Sequence, residues 1–185
     1  MRTGYSRLLS LVVSLIITLL APCMAAASDD IKAVPEFTMK AAYLYNFALL
    51  TNWPAKTEAP ENNFNLCLYG QNELAPALEA LQGKMINQQQ LRLLRVNDAT
   101  QARQCHMLFI GEEEALFGSH LVESLKGTPV LIVTDANQVA RSGAMLLITT
   151  KAHRLSFEVN IDYAKRSQLK FSSKLLRLAT KVNGE

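Results

Sequence analysis

The sequence predicts an α/β domain: a mostly parallel sheet with helices on both faces, then a C-terminal antiparallel β-hairpin and a helix. Three observations predict it. Short, almost wholly apolar runs at 65–69, 91–96, 107–110 and 130–133 alternate with helical stretches, the pattern of a sheet buried on both faces. The polar gap at 150–154 is too short for a crossover helix, so the runs at 145–149 and 155–160 should pair antiparallel. Finally, the 158 residues of 28–185 amount to one domain, long enough to bury roughly 70 % of its unfolded surface.

The N-terminus reads as an export signal at 1–27. Arg2 and Arg7 precede a thirteen-residue run, 8–20, that is apolar apart from Ser10, Ser14 and Thr18. Such a run is short for a hydrocarbon core of about 30 Å. Pro22 and the small residues Ala25, Ala26 and Ala27 follow, matching a cleavage site, so we expect cleavage after Ala27. The alternatives are an uncleaved anchor helix and a lipoprotein cut at Cys23, the latter disfavoured because Pro22 stands where a small residue is wanted. Export would place the chain in the periplasm of a Gram-negative cell, with no membrane insertion after cleavage.

Residues 28–36 read as a flexible lead to a single domain, 37–185. A helix is expected over 37–53, from Phe37, Ala41, Leu44 and Ala48 at steps of three and four, with Pro54 ending it. Residues 55–63, rich in Pro, Glu and Asn, read as a loop. The strand 65–69 closes at Gly70, and a helix over 73–82 stops at Gly83. The strands 91–96 and 107–110 follow, the latter closed by Gly111. A helix over 112–126 opens on three glutamates, which complement the helix macrodipole, and the strand 130–133 comes next. After the hairpin, 162–166 reads as a short helix. Ser172 should cap a last helix over 173–181 with Leu175, Leu176, Leu178 and Ala179 as its apolar face.

Without Arg2 and Arg7, 17 basic residues face 16 acidic ones. No Lys/Arg run exceeds two residues and no aromatics interleave with them, which argues against nucleic-acid binding. Cys67 and Cys105 survive cleavage. An even pair in an oxidising compartment reads most simply as a disulfide, with two buried thiols as the alternative. No glycine-rich phosphate loop and no His-x-x-x-His spacing is present, so no cofactor or metal is expected. His120 and Glu123, one turn apart, read as a solvated helix face. Gly118, Ser119 and His120 lie inside a helix rather than on a nucleophile elbow. Asp135, at the carboxyl end of the fourth strand, reads as the N-cap of the next short helix. No catalytic residues emerge, and the chain is expected not to be an enzyme.

Two segments carry a more specific signal. KAAYLYNF at 40–47 followed by Trp53 and Pro54 resembles the opening helix of the YfiR family. FEVN at 157–160, LKFSSKLL at 169–176, Leu178 and Ala179 are similar to its closing signature. The resemblance covers essentially 37–181, and Cys67 and Cys105 match a pair that members use as a disulfide. A second, more C-terminal pair found in some members is absent.

The resemblance implies a periplasmic regulator that binds and represses the periplasmic sensing domain of an inner-membrane diguanylate cyclase, lowering cyclic di-GMP and biofilm formation. It also implies a homodimer, and an outer-membrane, peptidoglycan-associated lipoprotein that sequesters the repressor. The alternative is a periplasmic small-molecule sensor or carrier coupled to another membrane receptor. Candidate contacts are Tyr43, Asn46, Trp53, Asn160, Ser173 and Lys174. Tyr and Trp are enriched at interface hot spots, and Ser173 and Lys174 stand at a helix N-terminus that could take an anion. Asn46 and Asn160 read more readily as buried structural hydrogen bonders than as contacts, and Trp53 more readily as core.

Overall fold

Five parallel strands organise the chain, and two of them, Met107–Ile110 and Leu131–Thr134, are buried along their whole length. The structure, a computed structural model, describes residues 35–54, 63–152 and 154–184. The expected signal and the loop at 55–62 therefore lie outside the described residues, as does all of the lead except Pro35 and Glu36. The chain begins with α1 (Glu36–Leu49), β1 (Thr51–Asn52), β2 (Asn63–Tyr69), α2 (Ala75–Glu79) and the hairpin β3 (Met85–Ile86) with β4 (Gln89–Val96). Next come α3 (Ala99–Ala102), β5 (Met107–Ile110), a 3-10 turn at Glu112–Glu114, α4 (Ala115–Ser124), β6 (Leu131–Thr134) and α5 (Asn137–Ser142). The chain closes with β7 (Leu146–Lys151), β8 (Arg154–Asn160), α6 (Ile161–Arg166), β9 (Lys170–Phe171), α7 (Ser173–Leu178) and β10 (Lys181–Asn183).

Among the described residues the main sheet runs β10-β8-β7-β6-β5-β2-β4-β3. The inner strands β4, β2, β5, β6 and β7 are parallel, and β7 and β8 form the expected antiparallel hairpin. The mixed α/β class with its mostly parallel sheet and C-terminal hairpin is as the sequence predicts. Alternation along each strand sorts two cores. Leu66, Leu68, Met107, Phe109, Leu131 and Val133 face α1, α2, α6 and α7. Cys67, Leu108, Ile110 and Ile132 face α3, α4 and α5. Cys67 on β2 and Cys105 before β5 are joined in the second core, with Cα atoms 5.9 Å apart.

Several boundaries differ from expectation. Helix α1 stops at Leu49 rather than Trp53 because Thr51 and Asn52 pair with Phe171 and Lys170. The last helix stops at Leu178 rather than Lys181 because Lys181–Asn183 joins the sheet beside β8. The helix expected over 73–82 is the shorter α2, and that expected over 112–126 opens as a 3-10 turn and ends at Ser124. Asp135 is not a cap: Ala136 precedes α5, and the Asp135 carboxylate lies 2.8 Å from Lys40 Nζ.

Gly118 is a packing glycine, which explains a Gly in mid-helix. A Cβ there would overlap Ile110 Cγ2 beneath α4. Alanine gains about 1 kcal/mol of helix propensity, but overpacking a close core contact costs about 1–3 kcal/mol. Gly118→Ala should therefore lower stability by about 1 kcal/mol, read as a lower urea midpoint with unchanged slope; a raised midpoint would refute the close contact.

Candidate functional site

The order of the parallel strands reverses between β2 and β5, and the crevice at their carboxyl ends is where open α/β sheets usually bind ligands. Here the protein's own side chains fill it. Glu114 accepts the Gln71 amide at 3.3 Å, and Asn72 Oδ1 accepts that of Leu74 at 2.8 Å. Side chains at Gly70 and Gly111 would collide with Glu114 and Asn72.

A groove opens instead beside α1, with a volume of about 290 Å³. One wall is α1, with Tyr43, Asn46, Phe47 and Leu50; the floor includes Phe157 of β8. The other wall is α7, with Lys174, Leu175 and Leu178. Amphipathic spacing puts these residues there: Tyr43, Phe47 and Leu50 lie at steps of four and three on one helical stripe. Phe47 and Phe157 meet edge-on at 4.8 Å, and Tyr43 packs on both at 5.7 and 5.9 Å. Tyr43 also donates from its hydroxyl to the Leu155 carbonyl at 3.0 Å, so its ring is held at the groove edge. Leu178 is 60 % exposed on the far wall. Apart from the Tyr43 hydroxyl, which is bonded to Leu155, the polar groups of the lining are the Asn46 amide and the Lys174 ammonium.

Of the six candidate contacts, the groove brings together Tyr43, Asn46 and Lys174, which come from opposite ends of the sequence. Asn46 is exposed rather than buried, and donates to the Ala42 carbonyl. Ser173 adjoins Lys174 but is not part of the lining. At the helix N-terminus expected to take an anion, the Ser172 hydroxyl accepts the Leu175 amide. Trp53 stands apart: it packs edge-on against Phe64 and donates to the His106 carbonyl at 3.0 Å. Asn160 is also elsewhere, capping α6 through the Tyr163 amide. Missed by sequence reasoning were Phe157, Leu175 and Leu178, whose apolar spacing gave no hint that they line an open face.

Lys40 anchors the α1 wall from beneath. It is buried and bonds Asp135 at 2.8 Å and Glu36 at 3.0 Å, tying the helix to the end of β6. Burial depresses the Lys40 ammonium pKa, but the hydrogen bonds and charges of Asp135 and Glu36 outweigh it and hold the pKa above the ordinary 10.5.

Residues 37–180 match the YfiR/HmsC-like family, a regulatory family rather than an enzymatic one. Among solved structures, a conserved domain protein from Vibrio cholerae O1 biovar El Tor is similar, with a TM-score of 0.56 at 9 % identity. The match covers 81 % of this chain but only 61 % of that one, and shows likeness of fold. Among the described residues no helix is long and apolar enough to cross a membrane. With the match spanning nearly the whole folded chain, this protein belongs to the YfiR/HmsC-like family.

Proposed function

We propose that this protein is a periplasmic regulator of cyclic di-GMP signalling. It binds the periplasmic domain of an inner-membrane diguanylate cyclase through the α1–α7 groove and holds the cyclase inactive, lowering biofilm formation. One observation carries the reading: the opening and closing segments that mark the family, more than a hundred residues apart, converge on this groove. An apolar cleft with an exposed leucine and one lysine suits a protein ligand, whose binding shifts the cyclase only by preferring one of its states. An outer-membrane lipoprotein that takes up the same surface would release the cyclase. Homodimerisation is expected by analogy with the family.

Deleting the gene should raise cellular cyclic di-GMP. Complementation with Leu178→Asp or Lys174→Glu should fail to restore the low level although the variants accumulate and fold. An unchanged cyclic di-GMP level on deletion would remove the reading.

The volume favours one second reading, since about 290 Å³ is near the lower end of small-molecule sites. A sensor of small aromatic ligands should gain about 2.7 kcal/mol of stability at a hundred times its dissociation constant. A thermal-shift screen in which no ligand moves the melting point counts against it.

A further inference from the structure

Charge is spread unevenly over this molecule. Residues 163–184 hold Lys165, Arg166, Lys170, Lys174, Arg177 and Lys181 and no acid, although the chain from 28 onwards is nearly balanced. All six cations are exposed, and only Lys174 lines the groove. They come from α6, β9, α7 and β10, which the fold gathers at one end of the sheet. Helix α6 packs against β9 and β10, β10 lies beside β8, and Ala164, Leu169 and Leu175 anchor the group in the first core. Glu158, in register with Lys181, and Asp162, beside Gly184, are half-buried at the margin.

Local structure explains these cations one at a time. Lys165, Arg166 and Arg177 stand in last helical turns, where positive charge complements the macrodipole. Lys181, on the outermost strand, discourages edge pairing. Neither reason explains why no acid is interspersed, as on an ordinary mixed surface. Among the described residues, the side chains of Lys165, Lys170, Arg177 and Lys181 make no ion pair. Val182, 41 % exposed, follows Lys181.

We propose that this face seats the protein on an anionic phospholipid surface, without inserting a segment into it. Four lysines to two arginines favour lipid over a cluster of protein carboxylates. Ammonium groups are hydrated point charges suited to diffuse negative charge, whereas fixed carboxylates are better held by guanidinium forks. Val182 adds apolar contact at the level of the headgroups. Each cation near such a surface strengthens binding about fivefold, and the attraction fades within a Debye length. In the periplasmic reading the surface is the membrane that holds the cyclase, so docking confines the regulator to the plane of its partner. The groove borders this face through Lys174 and opens beside that plane.

The test needs no cyclase and its variants leave the groove lining intact, so its failure leaves the groove reading standing. The exported protein, purified after expression from its full coding sequence, is sedimented with phosphatidylcholine vesicles, either pure or containing roughly one-third phosphatidylglycerol. It should bind only the acidic vesicles and leave them as salt is raised. Lys165→Gln, Lys170→Gln and Lys181→Gln together should weaken binding on the order of a hundredfold. Lys84→Gln, Lys126→Gln and Lys151→Gln, which remove the same charge from exposed sites elsewhere, should change it little, with both variants melting as the wild type does. No binding to acidic vesicles, equal binding to neutral ones, or equal losses from the two variants overturns the proposal. So does a first variant that fails to restore low cyclic di-GMP while vesicles ignore the wild type, which would assign the face to an acidic protein instead.

Discussion

Replacing Cys67 and Cys105 together by alanine should cost this protein about 4 kcal/mol. The bridge spans 38 residues, and a crosslink of that length removes about that much loop-closure entropy from the unfolded chain. Its position makes full expression of the effect reasonable. It joins the middle of the central strand β2 to the approach of its neighbour β5, inside the core shared with α3–α5, so the native state it connects is otherwise rigid. For a domain of this size a loss of that order lowers the melting temperature by roughly 8–15 °C. Urea unfolding of the oxidised wild type and of the double variant measures it. Coincident midpoints, or two thiols alkylated without reduction, would show that the bridge contributes nothing.

The second large effect should come from Lys40. Removing one partner of a buried ion pair strands the other, at a cost of about 3–5 kcal/mol. Lys40→Met leaves the Asp135 carboxylate in place, with Oδ1 lacking a hydrogen-bond partner among the described residues and the lysine's bond to Oδ2 lost. Asp135→Ala should cost less, because Lys40 retains half-exposed Glu36. Lys40→Met with Asp135→Leu should recover much of the loss, since apolar packing replaces two desolvated charges. Equal costs for the two single variants would refute this asymmetry.

The same site sets a pH dependence. The folded Lys40 pKa lies above its unfolded value, so its contribution is complete below about pH 10.5 and disappears as pH rises through the folded pKa. Tyr69 acts in the same direction: burial, then the charges of Glu114 and Asp98, hold its phenol above the ordinary 10.0. Wild-type stability should therefore fall steeply in alkali, and Lys40→Met should flatten the fall.

The strands were legible because burial on both faces leaves an apolar run that no other element of that length requires, as at Met107–Ile110 and Leu131–Thr134. The hairpin was legible from one short gap. The short elements β3, α3 and β10 were not, since they carry neither a period nor an apolar run. Helix α3 did leave a local trace. Asp98 accepts the Gln101 amide at 2.8 Å while the Gln101 side chain accepts the Asn97 amide, close to a capping box.

At the groove, Tyr43 stood out as aromatic area beyond what one core face needs, Asn46 as a polar residue inside an apolar motif, and Lys174 as a cation at a helix N-terminus. Phe157, Leu175 and Leu178 did not, because apolar spacing alone does not say which face stays uncovered. The Lys40–Asp135 pair spans 95 residues and no local pattern announces it. Its one clue was a lysine four residues before the buried Leu44, on the stripe of α1 that faces inward.

The two-residue ladder of β1 with β9 lies immediately after α1 and immediately before α7, and the Ser172 amide adds a bond to the Leu50 carbonyl there. These few backbone bonds act as the spine of a book whose covers are the two helices. Spreading the covers to admit a bulky wedge would strain the spine, whereas a slim side chain enters with the binding already closed. Recognition here should thus resemble a key entering a lock cut beforehand, with little ordering left to be done on arrival. Slow deuterium uptake at the Ser172 amide, unchanged by an occupant, would be the signature of that rigidity.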